Sequence, residues 1–84
     1  MKLAKNVVFC ETDYGAVVLD EASGRYWTLN PTGALAIGVL LDGKNEDDAV
    51  DAVVELYPAR RDAVSTDVGN LLDQLRKAGL VEEK

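Results

Sequence analysis

Three runs near the amino terminus, "VVFCET", "GAVVLD" and "RYWTL", are rich in β-branched and aromatic residues, and the turn-forming stretches "DYG" and "EASG" separate them. Between Asn6 and Leu29 this spacing predicts a three-stranded antiparallel meander whose first and third strands are edges. With "EASG" as a four-residue loop, Asp20 pairs with Arg25 through backbone hydrogen bonds, and the alternation of antiparallel pairing then turns the N–H groups of Tyr26 and Thr28 away from the second strand.

At Asn30 the period changes. Asn30 suits an N-cap, Pro31 suits the first helical position, and "ALAIGVLL" continues until "DG" ends the helix. Gly38 inside it costs about 1 kcal/mol relative to Ala, so a close packing contact is expected there. Asn45 caps a second helix, whose first turn, Glu46, Asp47 and Asp48, meets the positive end of the helix dipole. Val50, Val53, Val54 and Tyr57 recur at helical spacing, and Pro58 stops the run. A third helix is expected from about Asp62 to Ala78, with Val64, Val68, Leu71, Leu72 and Leu75 as one stripe. Gly79 suits the left-handed position after its end, where Leu80 can fold back on Leu75 in a Schellman arrangement. The order β-β-β-α-α-α reads as an α+β fold, a three-stranded antiparallel β-meander followed by three helices, winged helix-turn-helix-like. No repeat, linker or low-complexity segment interrupts it, so residues 1–84 read as a single domain.

Size and charge narrow the function. A chain of 84 residues buries only about 60% of its unfolded surface, which leaves little core for an enclosed active site. A net charge of −6 argues against nucleic acid or an anionic membrane as partner, because phosphate binding needs a basic face. One Cys forms no internal disulfide, in keeping with a reducing compartment. The start "MKLAKNVVFC" lacks the apolar run of a signal peptide, and no stretch approaches the length of a bilayer span. A cytoplasmic location is expected.

Catalytic chemistry is sparse. Histidine is absent, which removes the usual general base and the commonest metal ligand. Cys10 lies between Phe9 and Glu11 with no basic neighbour in sequence to activate it, and reads as an inert, partly buried thiol. "DGKNEDD" departs from the calcium loop, which places Gly sixth and a bidentate Glu twelfth; a helix end followed by a helix start explains it. Glycines occur singly, never as a phosphate-cradling loop. No catalytic residue, metal ligand or cofactor is assigned. Recognition remains: Trp27 and Leu29 on the third strand read as core, while its free edge is open to an extended peptide adding as another strand. Both hold together because alternate side chains go to opposite faces.

The segments "GAVVLDEASGRYWTLNPTG", "LLDG" and "DVGNLLDQLRKAGLV", in this order and at this separation, closely resemble the PqqD-like family. These are the recognition elements for ribosomally made, post-translationally modified peptides, and the likeness is greatest to the stand-alone members from lasso peptide gene clusters. It covers about Val7 to Glu82. The resemblance implies a non-catalytic protein that captures the leader segment of a precursor peptide as an added strand, in the groove between the third strand and the third helix. Carried onto this chain, the peptide-binding residues are Arg25, Tyr26, Trp27, Thr28 and Leu29 on the strand, with Asp67, Val68, Leu71, Gln74 and Leu75 on the helix. In the lasso branch the leader offers a Tyr and a Pro a few residues apart as anchors. The captured leader then passes to a leader peptidase, and the core peptide to an ATP-dependent cyclase.

A pyrroloquinoline quinone-type carrier, presenting its precursor to a radical enzyme, is the alternative within the family. From another class, a winged-helix DNA-binding or regulatory domain needs a basic recognition helix, whereas Asp62, Asp67 and Asp73 offset Arg61, Arg76 and Lys77. A homodimer through a strand edge is a third reading.

Overall fold

The computed structural model describes residues 1–83. Its elements are β1 (Lys2–Leu3), β2 (Val7–Thr12), β3 (Gly15–Asp20), β4 (Arg25–Leu29), α1 (Pro31–Leu41), α2 (Glu46–Leu56), α3 (Arg61–Lys77) and β5 (Val81–Glu82). The expected meander is the antiparallel sheet β2-β3-β4, so the third strand of the sequence reading is β4. A second antiparallel pair, β1 with β5, ties the two ends of the described chain together. Two-residue strands carry no readable period, and neither was expected.

The caps form as the sequence suggests. The Asn30 side chain accepts from the Gly33 N–H at 2.8 Å, and Asn45 and Asp48 make a reciprocal capping box. After α3, Gly79 adopts φ 74°. The Leu80 N–H donates to the Leu75 carbonyl at 2.9 Å and the Gly79 N–H to the Arg76 carbonyl at 3.0 Å, the paired bonds of a Schellman motif. Leu75 and Leu80 close it as core residues, each 1% exposed.

One face of the sheet packs on the helices. Val7, Ala16, Val18 and Leu29 join Ala36, Ile37 and Leu40 of α1, Ala49, Val50 and Val53 of α2, and Val64, Val68, Leu72 and Leu75 of α3 in a single core. Gly15 must be glycine: a Cβ there would sit 1.9 Å from the Leu29 carbonyl oxygen, at φ +143°.

Two sequence expectations are corrected here. Cys10 is exposed rather than partly buried, because strand alternation places it on the outer face opposite Val17. Gly38 makes no close packing contact: a Cβ built on it meets nothing within 4 Å.

Candidate functional site

Register determines which backbone groups the edges offer. In the first hairpin Val7 stands opposite Asp20, and one step back the Glu21 N–H donates to the Asn6 carbonyl at 2.9 Å. Antiparallel pairs alternate between bonded and non-bonded, so Leu19 and Val17 bond toward β2, while Asp20, Val18 and Ala16 bond toward β4. In the second hairpin Asp20 stands opposite Arg25, Leu19 opposite Tyr26 and Val17 opposite Thr28. Tyr26 and Thr28 are therefore the non-bonded members, with N–H and C=O aimed into solvent along the β4 edge. The "EASG" loop holds this register by its own bonds: the Gly24 N–H donates to the Asp20 carbonyl at 2.8 Å, and the Ser23 hydroxyl donates to the Asp20 carboxylate at 2.9 Å.

Beside that edge lies an open groove of about 330 Å³, lined by Thr28, Leu29, Asn30, Thr32, Gly33, Val53, Ala59, Val64, Asp67, Val68 and Leu71. Its floor is apolar, since Leu29, Val53, Val64 and Val68 are buried. Asn30, Thr32 and Asp67 supply a polar rim. Gly33 sets the depth where α1 approaches α3: a Cβ there would lie 3.2 Å from a Leu71 methyl and 3.1 Å from the Asn30 side-chain oxygen.

Of the residues singled out from the sequence, Thr28, Leu29, Asp67, Val68 and Leu71 come together in this groove. The others do not line it. Arg25 lies over the Trp27 ring, 5.0 Å from its centroid, a cation–π contact worth about 0.5–1 kcal/mol at an exposed site. Trp27 is half-buried and packs on the core beside Val18, its cross-strand partner. Tyr26, 66% exposed, stands on the outer face. Gln74 is exposed, and Leu75 points wholly into the core. Sequence reasoning missed Asn30, Thr32, Gly33, Val53, Ala59 and Val64 as lining; the N-cap marked Asn30, the α2 period Val53 and the α3 stripe Val64, but none of them as part of a site. Among the described residues no cluster of His, Cys, Asp or Glu could hold a metal ion, and no helix is long and apolar enough to cross a membrane.

The groove joins unpaired strand donors to apolar pockets, an arrangement suited to an extended peptide. The model of the family "Coenzyme PQQ synthesis protein D (PqqD)" matches residues 15–81. Among solved structures, the chain is 35% identical to a lasso peptide synthetase B1 complexed with the leader peptide, with a TM-score of 0.83 over 94% of this chain and 93% of that one. It is 31% identical to TbiB1 in complex with the TbiA(beta) leader peptide, with a TM-score of 0.78 over 95% and 94%. No curated protein matches the chain.

Proposed function

Because this chain belongs to the PqqD family, we propose that it is a non-catalytic leader-recognition domain spanning residues 1–84, which holds the leader of a ribosomally made precursor peptide as a fourth strand on β4. One observation carries this: the backbone groups of Tyr26 and Thr28 face outward beside the apolar groove walled by α3. The solved relatives hold leader peptides, and the lasso pathway is the reading that fits them. Backbone pairing supplies general affinity, and side chains seated in the groove supply selectivity. Each leader anchor that buries about 100 Å² contributes roughly 2.5 kcal/mol. Ordering the leader costs about 2–5 kcal/mol and association costs more in lost overall freedom, so two or three anchors alone fall short of micromolar binding, about −8 kcal/mol, and the strand-pairing bonds must supply the rest.

The bound leader is then presented to a separate leader peptidase, and the core peptide to a cyclase. The family description supports a second reading, a carrier that presents its precursor to a radical enzyme. DNA binding finds no basic face on α3: Arg61 is paired with Asp51, and Arg76 with Glu83 and Asp73.

The test is titration of this protein into the fluorescein-labelled leader of a candidate lasso precursor peptide. Micromolar or tighter binding is expected, with the mass of the full precursor unchanged after incubation. Failure to bind the leader overturns the proposal, as does cleavage that disappears when this chain is mutated.

A further inference from the structure

The other edge of the sheet resembles the first in construction. By the same alternation, Val8, Cys10 and Thr12 bond toward β3, so Phe9 and Glu11 turn their N–H and C=O outward. Among the described residues none of these four groups has a backbone partner. No proline guards this edge, and its only charge is Glu11. Beside it runs a second groove of about 410 Å³, between β2 and α1, walled by Phe9, Leu35 and Val39.

Gly38 opens onto this groove. It sits in the interior of α1, where glycine costs about 1 kcal/mol relative to Ala. Its backbone is not among those with positive φ, and a Cβ would meet nothing within 4 Å. Neither conformation nor packing requires glycine, and what it leaves is a dent in the groove wall. The charged residues at the groove are Glu11 and Asp42. Among the described residues neither makes an ion pair.

We propose that the β2 edge is a second strand-docking site, which takes an extended segment of a partner protein carrying an apolar residue and a Lys or Arg two positions apart. The segment pairs with Phe9 and Glu11, its apolar side chain fills the dent over Gly38, and its cation meets Glu11 or Asp42. The two-residue spacing follows from strand alternation, which puts both side chains on the groove face. A second copy of this chain would bring more carboxylate and a net charge of −6 to an acidic groove, so a basic partner is the occupant that the charges select. This site is independent of the leader site on β4.

The probe is the peptide acetyl-Thr-Lys-Thr-Leu-Thr-Lys-Thr-amide, titrated into the ¹⁵N-labelled protein, with the same peptide bearing Glu for Lys as the control. The amides of Phe9 and Glu11 are expected to shift saturably with the basic peptide and at least about tenfold more weakly with the acidic one, a difference of about 1.4 kcal/mol. Gly38→Leu, whose Cβ has nothing within 4 Å, should fill the dent and weaken the basic peptide while the melting temperature holds. Glu11→Lys, at an exposed edge position, leaves Asp42 as the only carboxylate among the described residues lining the groove and should largely abolish the preference between the peptides. Equal response to both peptides, shifts confined to Tyr26 and Thr28, or unchanged affinity in Gly38→Leu would each overturn the proposal.

Discussion

Proline at Thr28 tests the leader site at a single atom. Thr28 is exposed, and its cross-strand pair with Val17 is a non-bonded one, so Thr28→Pro removes an N–H that serves no bond inside the sheet. Edge strands accept proline under that condition, provided the local φ moves toward about −65°. In the complex the same change deletes one strand-pairing bond, with a net worth of about 0.5–1.5 kcal/mol, and leaves a leader carbonyl unsatisfied at a partly covered edge, at a cost of about 1–3 kcal/mol. Leader affinity should fall at least about tenfold, since about 1.4 kcal/mol is one decade. The backbone adjustment should lower the melting temperature by only a few degrees, a domain of this size losing about 4–8 °C per kcal/mol. Thr28→Val keeps the donor and the strand preference and should bind like the parent. Anisotropy of the labelled leader reads affinity, and circular dichroism on heating reads the fold. A folded Thr28→Pro protein with parental affinity would refute strand addition at this position.

Other consequences follow from burial and charge. Leu71→Ala, at the half-buried groove wall, should weaken leader binding more than stability, whereas Leu75→Ala, 1% exposed in the core, should cost about 2–5 kcal/mol of stability; paired titration and unfolding curves separate the two. Gly38→Ala should stabilise the fold by up to about 1 kcal/mol, measured as a higher urea midpoint with an unchanged slope. Leader affinity should change little between about 50 and 200 mM salt, a range over which a protein that neutralises many phosphates loses orders of magnitude. A steep loss would instead point to Arg25, Arg76 or Lys77 as a charge-driven site.

The meander and the three helices were legible because each has a local cause: β-branched runs between turns, Asn30 and Asn45 as caps, Gly79 as a left-handed stop. The pairing of β1 with β5 was not, since it arises only when the ends of the described chain meet. The α3 stripe was legible as a whole but not residue by residue. Leu71 and Leu75 both satisfy the helical period, yet the first lies at the shoulder and the second points inward, a distinction that depends on where α1 and the sheet lie. Val53 fits the α2 period and Ala59 carries no local signal, but that either lines the groove depends on the packing of α2 on α3, which their own neighbourhoods do not reveal. At Gly38 the sequence reading inferred close packing from a helix-interior glycine, and the structure has open space there instead.

Amide hydrogen exchange with and without the leader tests the central claim most directly. In the free protein Trp27 and Leu29 bond toward β3 and should exchange slowly, while Tyr26 and Thr28, aimed at solvent, should exchange fast. Addition of the leader as a fourth strand predicts strong new protection at Tyr26 and Thr28, with Phe9 and Glu11 unchanged. Leader binding that leaves the Tyr26 and Thr28 amides unprotected would contradict strand addition on β4.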